Sequence, residues 1–339
     1  MSRKLHITAL VDGTTVPASD PEFAGTPAVP STEYYVVGAL RELGHTVSIL
    51  PVKEDIGEIV ASLVRDKPDL VFNLTEHFGG DRRFDKNIAA LLEILNIPFT
   101  GSGAMGLMLC RDKRLCKQLL SLHRARVPGF ASLPLNRPIR VPRTLRYPLV
   151  VKPAFEDSSE GISNASLVAN QEALAERVRF VHEGWQQAAI AEEYIEGREL
   201  YVGILGNHKL QVLPIRECFF NSQANGGPHM ATYRVKFNAQ YREKWNISFG
   251  FAELEPAVVK AVERVCKKAY HVLQIRDYGR IDLRLTPENK LVVLEANPNP
   301  DIANGEELAD AAAKSGISYQ DLIARILHLA MQRYKGTGA

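Results

Sequence analysis

The sequence predicts an α/β protein of three domains, and three observations carry that prediction. The first hundred residues alternate short apolar runs with amphipathic stretches, the signature of a parallel sheet crossed by helices. From about Arg111 the rhythm changes to short strands punctuated by proline around a single helix. With 339 residues, 45% hydrophobic and 24% charged, the chain is long enough for two or three packed cores. The expected units are an N-terminal parallel α/β domain over 1–110, a small central α+β domain over 111–205 and a C-terminal α+β domain over 206–339.

In the first unit, Lys4–Val11 reads as a buried strand ending in the Asp12-Gly13 turn, and the proline-rich run to Pro30 as a loop. Ser31 or Thr32 caps a helix to Leu43, which Gly44 stops. Strand His45–Leu50, helix Glu54–Arg65, buried strand Asp69–Leu74 and helix Asn87–Leu95 follow, and then Ile97–Thr100 extends into Gly101-Ser102-Gly103. The second unit has a helix over Asp112–Arg124, strand Tyr147–Lys152, a polar loop Glu156–Asn164, helix Gln171–His182 and strands Ala188–Ile195 and Glu199–Leu205. The third has strand Lys209–Arg216, a polar loop over Phe220–Pro228 and a helix from Pro256 to Leu273. Strands Gly279–Leu285 and Leu291–Ala296 come next, and the last helix is capped by Ser318 with Asp321 in the acidic place.

Composition excludes several classes of function. Forty-one Lys+Arg against 39 Asp+Glu leave +2, too balanced for nucleic acid or an anionic membrane as the default partner. No uncharged apolar run reaches the ~18 residues of a membrane span. Leu5–Val11, broken by His6 and Thr8, is too short for a secretory core. Cys110, Cys116, Cys218 and Cys266 are scattered without zinc spacing, which fits reduced thiols and a cytoplasmic location.

The most informative stretch is the strand pair Gly279–Leu285 and Leu291–Asn297. Arg280, Asp282 and Arg284 share one face of the first strand, and Val293, Glu295 and Asn297 one face of the second. A two-residue turn at Glu288-Asn289 sets Pro287 opposite Lys290, Asp282 opposite Glu295 and Arg280 opposite Asn297. Facing carboxylates repel, so this register asks for a cation between them, and hard oxygen donors suit Mg²⁺. The plainer alternative is a hairpin of solvated charges, or an Arg280–Asp282 surface pair. Strand Leu149–Lys152 delivers one cation into a cleft. The Ser/Gly loop Asp157–Gly161 can close over phosphates with backbone N–H groups, although Asp157 and Glu160 oppose an anion. Ile190–Glu199 runs from a strand through a Gly turn into a second strand. Its backbone and carboxylates suit an adenine edge and ribose hydroxyls, or only an acidic edge hairpin. Lys113 and Lys236, taken singly, read as surface lysines.

The order of these features resembles the ATP-grasp superfamily, and in detail its D-alanine–D-alanine ligase branch, over nearly the whole chain. The matching runs are Gly101-Ser102-Gly103, Arg111-Asp112-Lys113, Val151-Lys152-Pro153, Ser158-Ser159-x-Gly161, Glu192 to Glu199, Tyr233-x-x-Lys236, Gly279-Arg280-Ile281-Asp282 and Glu295-Ala296-Asn297. The resemblance implies ATP-grasp architecture with a metal-binding hairpin in the C-terminal domain. It implies that Lys113 and Lys152 hold the nucleotide phosphates, that Ser158 and Ser159 belong to the loop closing over them, and that Lys236 reaches the transferred phosphate. Glu192 and Ile195 fall at the adenine hinge and Glu199 at the ribose. Asp282, Glu295 and Asn297 correspond to ligands of two magnesium ions, for which Mn²⁺ can substitute, and Arg280 to the arginine at the tetrahedral oxyanion.

Both amino-acid subsites depart from the family. The family's Gly-Gly-x-Ser-x-Glu run after the first strand is missing, and Glu33 is the nearest acidic candidate. After Asn297 the chain reads Pro298-Asn299-Pro300-Asp301 in place of Pro-Gly-Met-Thr, so that Asp301, Glu306 and Glu307 stand where the second amino acid's carboxylate is expected. His77 lies where the family has a substrate-side histidine, and Arg82 or Arg83 could hold a carboxylate. The resemblance thus implies an ATP- and Mg²⁺-dependent ligase joining two small amino acids through an acyl phosphate, D-alanine by default, with small-molecule substrates and a possible homodimer. The alternatives are the same chemistry on a specialised acceptor, as in mycosporine-type or short-peptide biosynthesis, and an ATP-binding regulator without catalysis.

Overall fold

A computed structural model describes residues 3–25, 27–157, 159–221 and 230–335. The N-terminal region is the expected alternation: β1 (His6–Asp12), α1 (Thr32–Glu42), β2 (Thr46–Val52), α2 (Ile56–Asp66), β3 (Leu70–Asn73), α3 (Asp85–Ile94) and α4 (Ala104–Arg111). The strands form a parallel sheet in the order β2-β1-β3. Ser31 Oγ accepts from Tyr34 N at the start of α1, and Asp55 caps α2. The expected fourth strand at 97–100 is reduced to a single parallel bridge, Val71 to Phe99. Pro98 has no N–H to donate, and Gly101, at φ +86°, turns the chain away. Helix α4 escaped the sequence reading because Ala-Met-Gly-Leu-Met-Leu-Cys is apolar on every face and so shows no helical period.

The central region holds α5 (Lys113–Leu122), β4 (Phe130–Leu133), β5 (Leu149–Pro153), β6 (Leu167–Val168), α6 (Gln171–Trp185) and β7 (Ala189–Glu193). Its antiparallel sheet runs β4-β7-β5-β6. Leu174, Val178 and Val181 of α6, spaced as one helical face, pack on Leu149, Val151 and Ala191.

The C-terminal region comprises β8 (Arg198–Leu205), β9 (Gln211–Val212), β10 (Arg216–Phe220), α7 (Tyr233–Phe237), α8 (Ala239–Lys244), β11 (Ile247–Phe251), α9 (Pro256–Val272), β12 (Tyr278–Leu285), β13 (Leu291–Asn297), α10 (Glu307–Lys314) and α11 (Tyr319–Lys335). The sheet order is β11-β10-β8-β12-β13, with β9 paired to β8. Strand β8, grouped by the sequence with the central unit, hydrogen-bonds between β10 and β12 instead. The single strand expected over 209–216 is two pieces, with Pro214 in the gap between β9 and β10. Of the polar loop predicted over 220–228, residues 222–228 lie outside the described residues. Helices α10 and α11 pack back on the first sheet, where Leu308, Ile323 and Ile326 share one core with Ile7, Leu40 and Phe72.

The β12–β13 hairpin has the expected facing pairs by a different route. Thr286 N donates to Lys290 O at 2.9 Å, so the loop is the three residues 287–289, with Asn289 in the left-handed region at φ +56°. That places Leu283 opposite Val293, one residue off the expected register. A bulge then restores it: Leu294 is passed over, Asp282 pairs with Glu295, and Arg280 pairs with Asn297. At the other end of β12, Gly197 has φ +138°, its carbonyl accepts from Arg284 Nη1 at 2.6 Å, and a Cβ there would lie 2.2 Å from Leu285 O. Gly197→Ala is therefore expected to lower stability by about 3 kcal/mol in urea denaturation, from combined strain and backbone clash.

Candidate active site

Strands β5, β7, β8, β12 and β13 and the chain before α7 surround a narrow slot of about 80 Å³. Its lining includes Lys152, Ser159, Glu192, Ile195, Glu199, Lys236, Asp282 and Glu295, eight of the residues singled out in the sequence. Lys113, at the start of α5, is 4% exposed; its Nζ stands 3.0 Å from Glu295 Oε1 and donates to the Glu156 carbonyl. Burial alone would raise the Glu295 carboxyl, but Lys113 and Lys152 outweigh it and hold the group far below the ordinary carboxylate range. Ser159 sits at φ +61° and donates its hydroxyl to Ala231 O at 2.8 Å, which joins the Ser/Gly loop to the chain before α7. Ser158 lies outside the described residues.

Two expected nucleotide contacts have protein partners. Glu192, expected at the adenine hinge, is 3% exposed, with Lys152 Nζ 3.2 Å from one oxygen and Lys117 Nζ 2.9 Å from the other. Burial pushes its carboxyl up, and the two ammonium groups pull it below its usual value. Glu199, expected at the ribose, accepts from Arg284 Nη2 at 2.7 Å and from the Tyr201 hydroxyl at 2.8 Å.

Lys117 is a buried cation beside this site that sequence reasoning missed. It lies one helical turn beyond Lys113 on the buried face of α5, a spacing that the 3.6-residue period makes legible in retrospect. At 1% exposure, it also donates to Leu294 O at 2.7 Å, the carbonyl of the bulge residue. One ammonium thus supports both the floor of the slot and the bulge that sets Asp282 against Glu295. Lys117→Met should cost about 3 kcal/mol in urea denaturation, because Glu192 loses one of its two buried counter-charges. Adding Glu192→Gln should restore part of that loss; a double variant no more stable than Lys117→Met would locate the cost elsewhere.

A second cavity, of about 940 Å³, opens on the other side of Lys236 and is lined by Arg280, Asn297 and Asp301 among others. Lys236 borders both spaces, and among the described residues no carboxylate lies within ion-pair distance of its Nζ. Arg280 forks Asp282, with Nε to Oδ1 at 2.7 Å and Nη2 to Oδ2 at 3.0 Å, and its Nη1 reaches Glu307 Oε2 at 2.5 Å. Asn297 Nδ2 donates to Asp282 Oδ2 at 3.2 Å. The Arg280–Asp282 pair weighed as a surface contact is therefore formed, with Asp282 buried and Arg280 partly buried.

The two acids of the Ser/Gly loop are both engaged within the protein, Asp157 by two guanidinium groups and Glu160 by an indole N–H. Asp157 receives Arg82 Nη1 at 2.6 Å and Arg111 Nη1 at 2.8 Å, while Glu160 accepts from Trp185 Nε1 at 3.1 Å. Arg82 thus lines the cavity, whereas Arg83 pairs with Asp81 at the surface. Asp301 accepts from the Thr32 hydroxyl at 2.8 Å, bridging to the start of α1. Glu33 and His77 line neither cavity; they lie about Asp12, whose Oδ2 is 3.5 Å from His77 Nε2. Asp12, read in the sequence only as a turn residue, is 3% exposed at the carboxyl end of β1, where open parallel sheets gather ligands. All four cysteines are buried free thiols, and no helix among the described residues is long and apolar enough to cross a membrane.

A family model described as the D-ala D-ala ligase C-terminus matches residues 131–328. A protein of Sinorhizobium fredii, named only as uncharacterized protein y4sG, is 33% identical over 311 residues, which are 89% of this chain and 88% of that one. The D-alanine–D-alanine ligase of Bordetella petrii is 32% identical over 249 residues, 72% of this chain and 71% of its own. A solved D-alanine–D-alanine ligase of Bacillus anthracis, complexed with ATP, superposes with a TM-score of 0.72 at 20% identity, covering 98% of this chain and 100% of that one; this likeness speaks for the fold. With a family match over more than half of its length and such relatives, the chain belongs to the D-alanine–D-alanine ligase family of ATP-grasp enzymes, ATP-dependent ligases that form carbon–nitrogen bonds.

Proposed function

We propose that this protein joins the carboxylate of one small amino acid to the amine of another through an acyl phosphate, with D-alanine the default on both sides. The observation that supports this best is the meeting of two spaces at Lys236: on one side a slot whose lining holds Lys152 and the Asp282–Glu295 pair, on the other a large charged cavity. In this reading the hairpin β12–β13 is the metal-binding element of the C-terminal domain, and the 1–110, 111–205 and 206–339 division moves its second boundary to the 193–198 turn, because β8 belongs to the last sheet.

The donor set suits magnesium. Asp282, Glu295 and Asn297 offer two carboxylates and one amide oxygen, leaving the remaining positions to phosphate oxygens and water, the usual habit of that ion. When bound, two ions would neutralise charge on the transferring phosphoryl group. Glu295 stays ionised for that purpose because Lys113 and Lys152 suppress its protonation despite burial. Lys113 and Lys152 would turn from Glu295 and Glu192 toward the nucleotide phosphates, and Lys236 would reach the γ-phosphate from the boundary of the two spaces. Ile195 borders the slot where adenine would lie, and Glu199 would share ribose hydroxyls with its Arg284 and Tyr201 partners. The Ser158–Ser159 loop would shield the acyl phosphate from water. Arg280, on the cavity side, would stabilise the oxyanion formed when the amine attacks. Glu33 and His77 would act on the donor amino acid around Asp12, and Asp301 on the acceptor.

A second reading changes the acceptor. Asp301, Glu306 and Glu307 stand in the wall of the cavity, a lining unfavourable to an acceptor carboxylate, and the cavity is far larger than two alanines need. Phosphate release from ATP and Mg²⁺ over a panel of D- and L-amino acids and amines, with products identified by mass, separates the readings. A D-alanyl-D-alanine mass supports the default, and a product only with another amine supports the second. ADP formation with any carboxylate excludes a purely regulatory protein, and its absence throughout, with ATP bound, would overturn both ligase readings.

A further inference from the structure

Between α9, the α5–β4 connection and the tip of the β12–β13 hairpin lies a cavity of about 650 Å³ that shares no lining residue with the slot or the cavity described above. Five of its ten lining residues are Arg124, Arg126, Arg264, Lys268 and Lys290, and none is acidic. Its floor is apolar, made by Val265, Leu291 and two alanines. The whole chain balances charge, 41 basic residues against 39 acidic, and Arg82, Arg111 and Arg216 of the larger cavity each meet a carboxylate. Among the described residues, none of the five side chains has an ion pair or a hydrogen bond within the protein.

The contrast is sharpest on α9. Lys267 is compensated one turn away by Glu263, at 3.8 Å, whereas Arg264 and Lys268, also one turn apart, are like charges facing the same cavity. Like charges at that spacing destabilise a helix by a few tenths of a kcal/mol, a repulsion that an external anion would relieve. Arginine forks match phosphoryl oxygens, and five cations exceed what one carboxylate neutralises. A concave apolar floor takes the organic part of a small molecule. The near-neutral chain lacks the extended basic stripe that a polyanion needs.

We propose that this cavity is a peripheral site for a small organic phosphate, with the basic rim on the phosphoryl group and Val265 and Leu291 under its apolar part. The site touches the catalytic hairpin. Lys290 precedes and Leu291 opens β13, and the Arg126 carbonyl accepts from Val293 N at 2.8 Å, next to the bulge that positions Glu295. An occupant therefore braces α9, the α5–β4 connection and the metal-ligand strand together.

The test is calorimetric titration of the full chain with phenyl phosphate and, separately, inorganic phosphate, at low salt with Mg²⁺ and a non-hydrolysable ATP analogue saturating the slot. Phenyl phosphate should bind saturably and at least about fivefold tighter than inorganic phosphate, and Arg264→Glu/Lys268→Glu should weaken it about tenfold or more. Both substituted residues are exposed on α9. The variant should therefore melt as the wild type does and keep its basal ADP formation. No saturable binding to the wild type, equal affinity for inorganic phosphate, or unchanged binding by the double variant would each overturn the proposal. Failure of the analogue to bind counts against the ligase reading alone, since the double variant still reports on the peripheral site.

Discussion

Glu295→Gln should abolish turnover, lowering the rate of ADP formation about a thousandfold, or about 4 kcal/mol of transition-state stabilisation, while nucleotide binding survives more weakly. The amide keeps the shape of the side chain and can still accept from Lys113, whose Nζ lies 3.0 Å away, so the fold is expected to persist. What disappears is the negative charge that two lysines hold in place against burial and that a divalent cation needs opposite Asp282. Coupled ADP assays and calorimetry with ATP and Mg²⁺ check this. Unchanged ADP formation would sink the metal assignment, and loss of nucleotide binding with a collapsed melting temperature would make Glu295 a structural partner of Lys113.

Arg280→Ala should reduce acyl transfer by about a hundred- to a thousandfold, the scale of a lost oxyanion donor, with less than about threefold change in nucleotide affinity. The guanidinium is fully engaged, two nitrogens on Asp282 and the third on Glu307. Burial opposes its charge, but the two carboxylates prevail and hold its pKa well above the usual value. Arg280→Lys keeps the charge and loses the fork, so it should recover stability better than activity. Single-turnover measurement of phosphoryl transfer beside amide formation separates the steps. Equal losses of nucleotide binding and of acyl transfer would identify a purely structural arginine.

Much of this site is legible in the residues because hydrogen-bonded neighbours in a hairpin or helix are only a few positions apart. The Asp282–Glu295 and Arg280–Asn297 pairs follow from counting along two strands, even though the loop has one residue more than expected and the bulge at Leu294 takes it up again. Capping residues Ser31, Asp55 and Asn170 mark the starts of their helices for the same local reason. Helix α4 and the short helices α7 and α8 stayed hidden, since an element apolar all round, or only five or six residues long, carries no period to read.

The sequence by itself determined most of the element types, the facing pairs Asp282–Glu295 and Arg280–Asn297, and the chemical kinds of group brought to the site: lysines, hard oxygen donors and one arginine. Tertiary structure alone decided which charges are free and which are answered. Asp157 is silenced by Arg82, 75 residues away, Leu294 O is held by Lys117, 177 residues away, and Arg280 is shared with Glu307 of a helix that the sequence did not announce. Local propensity acts over about four residues along the chain, whereas an ion pair's strength depends on separation and burial in space. Those two quantities exist only once the three sheets have packed, which is why, among the described residues, Lys236 borders both cavities with no carboxylate at ion-pair distance while Lys113, Lys117 and Lys152 are paired.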